Sequence, residues 1–205
     1  MSASVGSGGG DAPKTHSSPL SRGIMAMGED EVSRTDSLLR LRASLDAMVG
    51  SRVTLLGDVM LDRYVIGEVH RISPEAPVPV FEAKKRENRL GGAANVALNI
   101  QALGATPILC GIIGNDIKGK VFNEVLENQH LSTEGIIQSD ERLTTCKTRI
   151  ISSSHHMLRV DEEVLEPISE LDSKDLINRV KNIISTKKID VVIFEDYLSG
   201  GPSVS

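Results

Sequence analysis

Tryptophan is missing from this chain, and it carries only two tyrosines and three phenylalanines. A base-stacking platform for single-stranded nucleic acid therefore has little to work with. Basic charge is also short: 23 Lys and Arg against 28 Asp and Glu leave a net charge of -5. That gives no overall basic footprint for nucleic acid or an anionic membrane surface, although a local basic pocket stays open. No stretch approaches the ~18 consecutive apolar residues that a membrane span requires. There are two cysteines, Cys110 in an apolar run and Cys146 in a strand-like one, with no metal-ligand spacing around either. They read as core thiols rather than a disulfide and suit a reducing cytoplasm. The expectation is a cytoplasmic protein that binds neither nucleic acid nor membrane.

What is present is enough for a core. The 205 residues are 40% apolar, which is room for one ordinary domain and a tail. Residues 1–35 are Ser- and Gly-rich, lack the apolar centre of a secretory signal, and read as a disordered leader. Lys14 and Arg22 leave an organelle transit peptide open, against Asp11 and the acidic Glu29-Asp30-Glu31. An expression leader ahead of a start at Met25 or Met27 is the other alternative. Residues 36–205 then form the folded domain.

In that domain Leu38, Leu41, Leu45 and Met48 recur at helical spacing after Asp36, and Gly50 ends the helix. Arg52 to Gly57 reads as a buried parallel strand, with Asp58 and Asp62 just beyond its end, where open α/β sheets place their ligands. Two short strands, Tyr64 to Gly67 and Val78 to Ala83, flank a Pro-punctuated stretch and predict a small exposed sheet. A helix over Val96 to Gly104, a buried strand over Thr106 to Gly114, and a helix capped by Asn115-Asp116 follow. Next come a hairpin, Thr144 to Ile151 and His156 to Val160, and a helix after the capping Asp172. A buried strand over Ile189 to Phe194 ends at Glu195-Asp196. Alternating strand and helix implies a parallel sheet with helices packed on it.

The stretch Leu90-Gly91-Gly92-Ala93-Ala94-Asn95 sits at the centre of this order. Paired glycines let backbone approach a ligand closely, and the start of the following helix leaves N–H groups beside it. A plain turn into a helix explains the same residues.

Three segments taken together resemble a known family: Gly57 to Tyr64, Arg71-Ile72-Ser73-Pro74-Glu75-Ala76-Pro77-Val78-Pro79-Val80, and Gly91 to Ala97. They look like the N-terminal half of the ribokinase-like sugar kinases, the PfkB family. Within it they are most similar to kinases of D-glycero-D-manno-heptose 7-phosphate, including the kinase half of bifunctional heptose kinase/adenylyltransferases. The Pro-rich run is the specific part. The resemblance implies a three-layer α/β/α sandwich with a small β-sheet lid built from segments 63–89 and 144–160. It also implies ATP and Mg²⁺ as cofactors, a sugar-phosphate substrate phosphorylated at O1 in ADP-heptose biosynthesis, and a homodimer through the lid.

By the same resemblance, Asp62 and Asn95 bond sugar hydroxyls, the backbone of Gly91 and Gly92 lies against the sugar, and Asp196 lies near sugar and Mg-nucleotide. A capping or solvated role explains Asp196 as well. A phosphate on the substrate needs cations, for which Arg71, Lys147, Arg149 and Arg159 are the candidates. Pairing of Arg149 and Arg159 with carboxylates such as Asp161 is the alternative. His155 and His156 read as exposed turn residues. The family's Gly-Ala-Gly-Asp segment, which carries its general base, does not occur in the 205 residues, and the chain departs from the family pattern after Tyr197. The C-terminal part of the fold is therefore expected to be missing and the chain alone inactive. A non-catalytic sugar-phosphate-binding fragment and another sugar or nucleoside kinase of this fold are the alternatives.

Overall fold

The structure, a computed structural model, describes Glu29 to Asp196 apart from Ser154. Residues 1–28 of the expected leader over 1–35, and the tail beyond Asp196, lie outside the described residues. The chain divides into two units, Met1–Arg42 and Ala43–Ser205. What is described of the first is the N-terminal part of helix α1 (Glu29–Met48). This helix starts at Glu29 rather than Asp36. Gly50 ends it with φ +79°, a conformation glycine adopts without strain.

The second unit is built on two sheets. The body sheet contains β1 (Arg52–Gly57), β4 (Thr106–Gly114), β5 (Gly135–Ser139) and β8 (Val191–Glu195). Its order is β5-β4-β1-β8, with every pair parallel. Odd-numbered residues of β1 and β4, including Val53, Leu55, Leu109 and Ile113, pack with α2 (Ala93–Ala102) and α3 (Ile117–Asn128). Ile108 and Cys110 point the other way and pack against Ile183, Leu176 and Val180 of α4 (Glu170–Thr186). Period-two alternation across one sheet thus gives it a helix layer on each face, the α/β/α arrangement the family resemblance implied. Both cysteines are buried and free.

The lid sheet has the order β3-β2-β6-β7, from β2 (Val59–Ile72), β3 (Pro79–Gly92), β6 (Cys146–Ser152) and β7 (His155–Glu162). The first hairpin is longer than the two short strands expected. Each arm runs 14 residues, because the charged stretch Lys84 to Arg89 continues β3 and Val59 to Asp62 already belongs to β2. A ribbon with polar side chains on one face does not display the apolar run that marks a buried strand.

Three further expectations change. The cap of α4 is Ser169, whose hydroxyl accepts from the Asp172 N–H, while Asp172 itself is buried and accepts a hydrogen bond from Ser139 at 2.7 Å. Strand β8, expected to be buried, is an edge strand with Phe194 75% exposed, because among the described residues it pairs only with β1. Strand β5 was not anticipated; five residues are too short to show a period.

The lid is tied to the body beside α3. Asp116 caps α3 through the Gly119 N–H at 2.7 Å and accepts from both the N–H and the hydroxyl of Thr144 at 2.9 Å, just ahead of β6. Lys118 on the same turn pairs with Glu162 of β7.

Candidate functional site

The site lies where the strand order of the body sheet reverses. From β1 the chain adds β4 and β5 on one side and returns to place β8 on the other. The crevice beyond the carboxyl ends of β1 and β8 is where doubly wound sheets bind ligands. Asp58 follows β1, and Glu195 and Asp196 stand at the end of β8. Burial, reinforced by the charges of Asp58 and Asp196, pushes the Glu195 carboxyl above its ordinary range. Its Oε2 is buried with no hydrogen-bond partner among the described residues. Asp58, Asp196, Met60, Thr145 and Glu163 line an adjoining cleft of about 290 Å³.

The lid supplies the facing wall. Strand pairing puts Arg89, Asp62, Lys147 and Asp161 in one row across its four strands, and Glu87, Tyr64, Arg149 and Arg159 in the next. Paired residues share a face of a sheet, so these side chains, with Met60 and Gly91, lie on one face. Met60 and Glu163 join that face to the cleft: both line the cleft, and Glu163 pairs with Lys147 at 3.0 Å.

Ion pairs organise the face. Arg149 is bonded to Asp62, with side chains 22% and 20% exposed. Lys147 lies between Asp161 and Glu163, and Arg159 pairs with Asp161 at 2.9 Å. Burial tends to raise the Asp161 carboxyl, but the bonds and charges of Arg159 and Lys147 outweigh it and hold the group below its ordinary range.

The glycine pair completes the floor. Gly91 lies against Asp62: a Cβ there would stand 2.8 Å from Asp62 Oδ2 and 2.7 Å from Met60 Cγ. Gly92 caps α2 at φ +57°, and a Cβ would fall 2.2 Å from the Asp58 carbonyl oxygen. That same oxygen accepts the Ala93 N–H at 2.9 Å, fixing the start of α2 to the end of β1. Asn95 follows in the first turn with its side chain exposed.

The structure thus brings Asp62, Gly91, Lys147, Arg149 and Arg159 onto one lid face, with Gly92, Asn95 and Asp196 at the adjoining strand and helix ends. Arg71 is not brought there. It is exposed near the far end of β2, nine residues beyond Asp62 and up to ~30 Å away along an extended strand. Arg89, Tyr64, Glu87 and Glu163 belong to the same face and were not anticipated. Counting back by two from Gly91 would have reached Arg89 and Glu87. His155 and His156 are exposed on β7, and among the described residues no group of three His, Cys, Asp or Glu is arranged to hold a metal ion.

This arrangement can accept hydroxyls on carboxylates and an anion on guanidinium groups, as a sugar phosphate requires. A protein of Helicobacter pylori named Bifunctional protein HldE is 42% identical over 149 residues, covering 73% of this chain and 32% of its own length. One of the same name from a Caulobacter species is 43% identical over 154 residues, covering 75% and 30%. The chain thus spans about a third of the length of the curated relatives it matches. Among solved structures, a putative phosphofructokinase from Staphylococcus aureus shares the fold with a TM-score of 0.51 at 18% identity, over 70% of this chain and 42% of that one. Residues 51–198 match the family described as pfkB family carbohydrate kinase. With a body sheet, lid and glycine turn of this form, the chain belongs to the pfkB carbohydrate kinase family.

Proposed function

We propose that this chain is the sugar-binding portion of a kinase that transfers a phosphoryl group from ATP to O1 of D-glycero-β-D-manno-heptose 7-phosphate, a step in ADP-heptose synthesis. The observation that carries the reading is the Asp62–Arg149 pair beside Gly91. A carboxylate suited to sugar hydroxyls and a guanidinium suited to a phosphate lie in contact beside a glycine that adds no side chain of its own. The resemblance of the Arg71 to Val80 run supplies the heptose.

ATP would supply the phosphoryl group and Mg²⁺ would neutralise its charge. Mg²⁺ keeps several waters and takes one or two carboxylates, which fits Glu195, whose buried oxygen has no partner among the described residues, and Asp196 beside it. The residues of this chain bind and orient the sugar. Asp62 and Asn95 hold hydroxyls, the Gly91-Gly92 backbone admits the ring, and Arg149 holds the phosphate. The proton of the attacking hydroxyl has no acceptor assigned here, since the sequence holds no Gly-Ala-Gly-Asp segment. The reading therefore gives the chain binding without turnover. It also includes a homodimer through the lid, supported by the exposed Leu158 and Val160 on the face of β7 opposite Arg159.

Two measurements on the purified 205-residue chain test this. Calorimetric titration is expected to show tighter binding of heptose 7-phosphate than of the same heptose without phosphate, and a coupled assay is expected to show no sugar-dependent ADP. Equal affinity for the two sugars would overturn the substrate assignment. ADP formation would overturn the division between binding and transfer. Sedimentation as a monomer at micromolar concentration would remove the dimer.

A further inference from the structure

The cations on the lid face are not equally available to a ligand. Lys147 is 12% exposed and lies between two carboxylates, Asp161 and Glu163. Taking it for a ligand would leave Glu163 without this cation, while Asp161 would keep Arg159. Arg159 shares Asp161 with it and sits on the outermost strand. Arg89 is different. Its side chain is 59% exposed, and its partner Glu87, at 2.7 Å, is also held by Lys85 two residues before. When Arg89 turns away, Glu87 keeps a cation. The guanidinium also has a fixed support: it lies 4.4 Å from the centre of the Tyr64 ring, and the Arg149 guanidinium lies 5.5 Å from the same centre. The two charges are thus at most 9.9 Å apart, on adjoining rows either side of Asp62 and Tyr64. Stacking on an aromatic ring orients a guanidinium fork without using its N–H donors.

We propose that Arg89 and Arg149, both carried on Tyr64, form the clamp for the phosphate of the sugar, and that Lys85 and Glu87 set how readily Arg89 is released to it. This inference rests on the sugar-phosphate reading above. It assigns the anion to Arg89, which stands beside the Gly91-Gly92 floor, and it leaves Lys147 and Arg159 to hold the lid strands together.

The test is the ratio of affinities for heptose 7-phosphate and the unphosphorylated heptose, measured by calorimetry on the 205-residue chain and its variants. Arg89 is exposed, so its replacement does not threaten the core. Arg89→Ala is expected to reduce the ratio about tenfold or more, the effect of one charge-assisted hydrogen bond, and to leave the affinity for the unphosphorylated sugar as it was. Arg89→Lys should retain part of the ratio. Glu87→Gln, which frees Arg89, should raise it. An unchanged ratio in Arg89→Ala, in a chain that does prefer the phosphorylated sugar, overturns the clamp and leaves the substrate assignment standing. Equal losses for both sugars also overturn it, because they mark a disturbed lid. If the unsubstituted chain shows no preference, or binds neither sugar, the substrate assignment fails and the clamp with it.

Discussion

Arg149 of β6 and Asp62 of β2 form an ion pair two residues out of strand register, since Asp62 is paired with Lys147 and Arg149 with Tyr64. The diagonal leaves Lys147 to Asp161 and Glu163. Removing either partner strands a charge that is mostly out of solvent. Arg149→Ala is therefore expected to lower unfolding free energy by ~1–3 kcal/mol, whereas Arg71→Ala, exposed at the far end of the lid, should stay within ~0.5 kcal/mol. Urea titration of the two variants checks both values. A loss for Arg71→Ala as large as that for Arg149→Ala would contradict the placement of these residues.

The two glycines of the floor should respond differently to alanine. At Gly92 the new methyl meets a backbone oxygen at 2.2 Å in a left-handed conformation, so the turn must move. A loss of ~2 kcal/mol or more in stability is expected. At Gly91 the methyl meets the movable ends of Met60 and Asp62, so stability should fall less while sugar affinity drops. Thermal melting and calorimetry of Gly91→Ala and Gly92→Ala separate the two effects.

Asp116 joins the body to the lid. Burial tends to raise its carboxyl, but hydrogen bonds from the Thr144 and Gly119 N–H groups and the Thr144 hydroxyl outweigh that and hold it below its ordinary range. A carboxylate with a lowered folded pKa contributes stability that is present above its unfolded pKa and lost as pH falls through the folded one. Asp116→Asn should cost ~1–3 kcal/mol near neutral pH, with the difference from the unsubstituted chain shrinking in acid. Denaturation curves from about pH 3 to about pH 7 would show that convergence. A constant gap would mean that the carboxylate charge is not what the anchor uses.

Glu195 has the opposite sign. Its carboxyl is raised by burial and by Asp58 and Asp196, so the folded protein holds this proton more tightly than the unfolded chain. Its contribution is full below the unfolded pKa and is lost as pH rises through the folded one. Glu195→Gln should therefore gain stability relative to the unsubstituted chain between about pH 4 and pH 7. Equal pH slopes for the two proteins would show that Glu195 is not strained.

Much of the fold was legible because the body obeys simple periods. Thr106 to Gly114 read as a buried strand, and Asp116 as a cap, because each signal is complete within a few neighbouring residues. The lid hairpin was legible only as exposed strand fragments. Lys84 to Glu87 carries charge on successive residues, and the membership of Lys84 to Arg89 in β3 depends on pairing with β2. The site divided along the same line. Asp62, Gly91 and Gly92 stand out as candidates from their own chemistry and order, while Arg89, Tyr64 and Glu163 do not, because each takes its place on the face from a partner on another strand.

By itself the sequence determined an α/β chain with acids at strand ends, a glycine pair ahead of a helix, few aromatics and a net acidic charge. Those properties depend on local propensity and composition, which need no partner. Only the tertiary structure decided which cation faces which acid: that Arg149 takes Asp62, that Lys147 is held by two carboxylates, and that Arg71 stands apart from the rest. The reason is strand register. It fixes side-chain neighbours across residues as distant in sequence as Asp62 and Arg149, and a shift of one residue would turn every one of them to the opposite face.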